Sequence, residues 1–126
     1  MKKKVLLFNI ASTEDRQKII KALLPLHIDV ASVAKEDYLQ SLGFLAGSRG
    51  LPKTDAVYDG DELDGQMLLL CGIYGTAMDR ALTALKKQGV KRDCIKAVVT
   101  ATNSAWNVLQ LYKELKKEHD YMNKPS

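Results

Sequence analysis

Four apolar runs punctuate the chain: residues 4–10 (KVLLFNI), 28–33 (IDVASV), 67–73 (MLLLCGI) and 95–100 (IKAVVT). The first and third are almost unbroken, as expected of strands covered on both faces. A helical pattern follows each run. Ser12 and Thr13 precede Glu14 and Asp15, a capping signal with carboxylates in the first turn. Ile19, Ile20, Leu23 and Leu24 then form a stripe that Pro25 ends. Residues 35–46 place Tyr38, Leu39, Leu42 and Leu45 on one helical face. Residues 75–88 repeat the pattern with Met78, Ala81, Leu82 and Leu85, and Gly89 suits a left-handed residue after the helix. A last helix over 104–119 carries Ala105, Val108, Leu109, Tyr112 and Leu115.

The order is therefore βαβα, a break, and βαβα again. VLLFNI lies over LLLCGI, and each leads to a helix bearing Asp-Arg, at Asp15 and Arg16 and at Asp79 and Arg80. In the second part of each half, Tyr38 falls opposite Trp106. An internal duplication is the reading. Residues 1–126 are expected to form one α/β domain of two tandem βαβα units. These are residues 1–45 and 66–119, joined by an acidic, Gly-rich linker over 46–65 and followed by a tail over 120–126. The sheet is expected to have four mainly parallel strands with flanking helices; a ferredoxin-like α+β arrangement is the alternative. An open sheet edge allows a homodimer.

Composition narrows the class. A hydrophobic fraction of 46% and a charged fraction of 27% suit a globular domain. No apolar run approaches the ~20 residues that span a bilayer, so no membrane partner is expected. The apolar run after Lys2, Lys3 and Lys4 is too short for a secretory signal, and the chain is read as cytoplasmic. Cys71 and Cys94 sit in strand-like runs outside any C-x-x-C pair, and His27 and His119 stand apart, which argues against zinc. The net charge of +4 divides into +3 over residues 1–50, −4 over 51–66 and +5 over 67–126. Lys86, Lys87, Lys91, Arg92 and Lys96 form the best nucleic-acid signal, without the interleaved aromatics of an RNA-recognition module. The acidic run over 59–65 lacks the distal Glu of a calcium loop and reads as a solvated loop.

Candidate chemistry lies where strands meet helices, since ligands of parallel α/β sheets bind outside the carboxyl ends of strands. Thr100, Thr102 and Asn103 could hold a small anion there, with Trp106 nearby as a stacking platform. The plainer reading is that Thr102, Asn103 or Ser104 caps the last helix and that Trp106 packs against the core. Gly72, Tyr74 and Gly75 lead into the third helix, but the stretch lacks both G-x-G-x-x-G and the Walker Gly-Lys-Ser/Thr. A tight turn explains those glycines as well as an anion does. Asn9 and Ser12 hold the corresponding turn of the first half. A site needs these turns to converge on one crevice. No catalytic triad order or cofactor motif is present, no carboxylate pair is placed on a strand end, and no metal ligand is assigned.

The second half resembles a small bacterial family catalogued only as domain of unknown function 3783. The residues that carry the resemblance are MLLLCGI, LTALKK (82–87), IKAVVTATNSAW and LYKELKKEH, over about residues 66–119. Lys96, Ala97, Val98, Thr100, Thr102, Asn103 and Trp106 match its pattern, and Ala101 departs from it where proline is usual. The family has no established activity, so the resemblance implies no substrate, cofactor or catalytic residue.

The first functional expectation is a non-catalytic small-ligand or protein-interaction (regulatory) module, with a small anionic ligand. The second is a weak RNA- or DNA-binding module, and the third an enzyme of unknown type.

Overall fold

All four apolar runs become strands of one mixed sheet: β1 (Lys4–Phe8), β2 (Asp29–Ser32), β3 (Met67–Cys71) and β4 (Ile95–Val98), in the order β2-β1-β3-β4. The structure is a computed structural model that describes residues 2–48, 50–91 and 93–122, the last four as backbone only. Arg92 of the predicted basic cluster and residues 123–126 of the predicted tail lie outside the described residues.

Within each half the pairing is parallel, β1 with β2 and β3 with β4. The halves meet through an antiparallel pair, β1 with β3, in which Leu6 lies opposite Leu69. The mainly parallel tandem sheet is corrected to a mixed one. The βαβα order in each half also differs from the ferredoxin-like βαββαβ alternative. Every residue of β3 is buried, as are Val5, Leu6, Leu7 and Phe8. Each such aliphatic side chain gains about 1.5–3 kcal/mol on leaving water, which puts these strands at the centre of the sheet.

Helices α1 (Thr13–Leu23) and α3 (Gly75–Lys87) are adjacent, and their buried residues join Val5, Leu7, Leu68 and Leu70 in one core. Helices α2 (Leu42–Ala46) and α4 (Val108–Met122) contribute to a second core with Leu6, Phe8, Met67, Leu69 and Cys71. Alternation along β1 and β3 sends successive side chains to these two cores.

The halves repeat several contacts. Matching β1 to β3 about the Leu6/Leu69 pair sets Asn9 (φ 60°) on Gly72 (φ 70°), both left-handed. The amide of Ile28 reaches the Leu23 carbonyl (3.3 Å), and that of Val90 reaches Leu85 (3.1 Å). The left-handed residues at these two ends are His27 and Gly89. Ser41 and Asn107, which precede α2 and α4, pair with each other. Two sequence correspondences do not follow this register. It sets Arg16 on Asp79 rather than Arg80. Tyr38 lies three residues before Ser41, whereas Trp106 directly precedes Asn107.

Three local expectations are corrected. The helix over 35–46 is a 3-10 turn (Lys35–Asp37) followed by the short α2. Gln40 is clamped to the backbone of Thr54 by two bonds (2.8 and 2.9 Å), and Ser41 Oγ accepts from Phe44 N to start α2 afresh. The amides of Leu42 and Gly43 bond the carbonyls of Trp106 and Ser104 (2.8 Å each). The final helix begins at Val108 and runs to Met122, past the predicted start of the tail. The segment over 46–65 is not a free linker with a solvated acidic end: Leu63 is buried in the second core. Asn9 Nδ2 donates to the Leu63 and Gly65 carbonyls (2.9 and 3.0 Å). The hydroxyls of Tyr38, Tyr58 and Tyr112 bond Glu62 Oε1 (2.5 Å), the Asp61 carbonyl (2.7 Å) and Asp64 Oδ1 (2.6 Å).

Candidate functional site

Because β1 and β3 run antiparallel, the carboxyl ends of β1 and β2 lie at one end of the sheet and those of β3 and β4 at the other. The predicted site residues divide accordingly. Asn9 and Ser12 fall at the first end. Gly72, Tyr74, Gly75, Thr100, Thr102, Asn103 and Trp106 fall at the second. The single crevice that would gather both groups does not form.

At the second end the polar groups serve the backbone. Asn103, only 9% exposed, accepts from the Thr100 amide (2.8 Å) and donates to the Val98 carbonyl (3.0 Å). Thr100 Oγ1 accepts from the Asn103 amide in return (3.1 Å). The cap of α4 is Asn107, not Thr102, Asn103 or Ser104. Its Oδ1 accepts from Gln110 N (2.9 Å), and Gln110 Oε1 accepts from Asn107 N (3.1 Å). Thr102 is exposed, and Trp106 is half-buried against the second core. Tyr74 precedes α3, gives it no side-chain cap and is 70% exposed. Gly72 and Gly75 (φ 55°) supply the left-handed conformations of a tight turn.

At the first end, Ser12 Oγ caps α1 by accepting from Asp15 N (3.3 Å), and Asn9 holds the acidic segment as described above. Two crevices open here. One, of about 250 Å³, includes Asn9, Ser32, Lys35 and Glu62 in its wall. The other, of about 320 Å³, runs between α1 and β2, with apolar Leu7, Ile20, Val30 and Ala31 and polar Thr13, Gln17 and Ser32. Arg16 lines both. Its Nε is buried and has no hydrogen-bond partner among the described residues, and its Nη2 makes a long bond to Thr13 Oγ1 (3.4 Å). Among the described residues no carboxylate forms an ion pair with it. Glu62, an acidic residue in the first crevice wall, already accepts from the Tyr38 hydroxyl and the Leu63 amide.

Arg16 is the residue that sequence reading passed over. Its signal was present as the Asp-Arg pair on the first helix, read there only as a mark of duplication. Periodicity places a residue on a helix face but does not reveal a crevice built from a strand elsewhere in the chain.

Other groups offer less chemistry. Burial pushes the Cys71 and Cys94 thiols up to about 11, so both stay protonated at neutral pH. Burial first, then the bond to Glu62, raises the Tyr38 phenol well above its ordinary value. Among the described residues no three His, Cys, Asp or Glu side chains converge as metal ligands. Of the basic cluster, Lys86, Lys87 and Lys91 are exposed, while Lys96 Nζ donates to the Lys91 carbonyl (2.8 Å). Among the described residues no helix is long and apolar enough to cross a membrane.

Residues 66–122 match the model of a family described as a domain of unknown function, DUF3783. The matched segment comprises β3, α3, β4 and α4, and with them the second end of the sheet. Arg16 and its crevices lie mainly on the half before it. No curated protein and no solved structure matches the chain.

Proposed function

We propose that this protein is a non-catalytic, cytoplasmic binding module for a small ligand, which enters at the carboxyl ends of β1 and β2. The observation that carries this reading is the pair of crevices meeting at Arg16, a cation whose Nε has no hydrogen-bond partner among the described residues. The position agrees with the habit of α/β sheets to bind ligands beyond strand ends. The opposite end supports it by contrast, since Thr100 and Asn103 already satisfy each other and the Val98 carbonyl. A duplicated βαβα unit accounts for the repeated contacts.

The test is an amide chemical-shift titration of the full chain with a mixture of small metabolites, and separately with a short RNA. Metabolite-induced shifts are expected over residues 9–17 and 29–35. Shifts confined to 72–75 and 100–106 would overturn the placement. RNA-induced shifts around Lys86, Lys87 and Lys91, with binding that collapses as salt rises, would favour the nucleic-acid alternative instead.

A further inference from the structure

We infer that Arg16 anchors the anionic head of a small organic acid whose apolar body lies along Leu7, Ile20 and Val30. This rests on the placement proposed above and adds the chemical class of the ligand. The crevice between α1 and β2 has a divided wall: Leu7, Ile20, Val30 and Ala31 are apolar, and Thr13, Gln17 and Ser32 are neutral and polar. Among the described residues Arg16 is the one charged side chain in that wall. A crevice of this composition favours a ligand with one hydrophobic part and one negative group.

The guanidinium is set for that group. Nε and Nη2 form one side of its planar fork, the side that receives two oxygens of a carboxylate or phosphate. Among the described residues Nε has no acceptor, and the Nη2 bond to the Thr13 hydroxyl is long. A buried N–H lacking a partner is costly, and an oxyanion bridging Nε and Nη2 would remove the deficit. The Thr13 hydroxyl can then turn from acceptor to donor toward the same anion. The Gln17 amide and the Ser32 hydroxyl line the same wall as further donors.

The adjoining crevice carries both signs, Lys35 and Glu62, so Arg16 is the cation available to a head group seated between α1 and β2. The volume of about 320 Å³ lies at the small end of ligand sites, which suits a body of about ten heavy atoms.

The experiment follows the Arg16 Nε–H resonance and the backbone amides of the full chain at constant ionic strength. The probes are hexanoate, phenyl phosphate, inorganic phosphate and hexylammonium. Hexanoate or phenyl phosphate is expected to saturate, shift the Nε–H signal and perturb the amides of β2. The tighter of the two identifies the head group as carboxylate or phosphate. Arg16→Gln should weaken binding at least tenfold, and Arg16→Lys should weaken it less. Equal binding of hexylammonium, or undiminished binding by a folded R16Q chain, overturns the inference. Inorganic phosphate binding as tightly as phenyl phosphate overturns the apolar half of it. Should R16Q fail to fold, the Nε–H signal of the natural chain decides: no shift at saturation sinks the anchor. Shifts in the crevice amides without that signal leave the ligand-end reading standing while the anion is lost. Shifts only at the opposite end remove both.

Discussion

Asn107 bears the start of α4, and its neighbours in the 100–106 turn have other duties. The reciprocal bonds between Asn107 and Gln110 satisfy amides that an open helix end leaves unpaired. Replacing Asn107 with Ala should cost about 1 kcal/mol, seen as a lower urea midpoint at unchanged slope. Thr102 is exposed and takes no part in the cap, so Thr102→Ala should stay within about 0.5 kcal/mol. A T102A chain as unstable as N107A would refute this assignment. The turn was visible in the sequence as a switch from alternation to helical period. The capping residue was not, because Asn103, Ser104 and Asn107 are all competent caps. The choice depends on Asn103 being drawn to Val98 and Thr100.

At the scale of elements, the acidic segment over 59–65 acts as a strap across the second core. Glu62 and Asp64 are exposed at their edges yet each accepts from a tyrosine hydroxyl, and Leu63 between them is buried. Asn9 is the point where the strap joins the sheet, and it holds a left-handed conformation to do so. Asn tolerates that conformation, Gly adopts it freely, and Ala pays about 1 kcal/mol for it. Asn9→Ala should therefore destabilise the chain by about 1–3 kcal/mol, through two lost bonds and the strained backbone. Asn9→Gly should be about 1 kcal/mol less damaging. Hydrogen exchange of the Leu63 amide should quicken in both variants, since both release the strap. If N9A and N9G are equally stable, the backbone argument fails; if Leu63 exchange is unchanged, the strap argument fails.

At the scale of the whole molecule, both sides of the sheet carry a protonated thiol in their cores. Cys71 faces the second core and Cys94 the first. Burial lifts both from 9.0 to about 11. A group held higher in the folded chain than in the unfolded stabilises the fold fully below the unfolded value. That contribution is lost as pH rises through the folded value. For these thiols it is intact below about pH 9 and gone above about pH 11, with each thiol worth on the order of 2 kcal/mol. Urea midpoints should fall between about pH 9 and pH 11, with the Tyr38 phenol adding to the loss from its unfolded value near pH 10 upward. The double variant Cys71→Ala with Cys94→Ala should show a flatter profile. A profile as steep as that of the natural chain would assign the alkaline loss to other groups.

The sequence by itself determined the strands, α1, α3 and the left-handed end at Gly89. These depend on local periodicity, and burying an apolar stripe or run needs no knowledge of its distant neighbour. It also carried the family pattern over the second half, which residues 66–122 match. Tertiary structure decided the direction of β3 against β1. An apolar run buried on both faces reads the same in either direction, and the segment before it has no period to constrain its path. From that one antiparallel pair follows the division of the predicted site residues between two ends of the sheet. The break before α2 likewise depends on contacts far along the chain, Gln40 with Thr54 and Leu42 with Trp106. Arg16 was legible as a helix residue. Only the packing of α1 beside β2 made it the shared wall of two crevices, because a cavity belongs to the space between elements and to neither sequence alone.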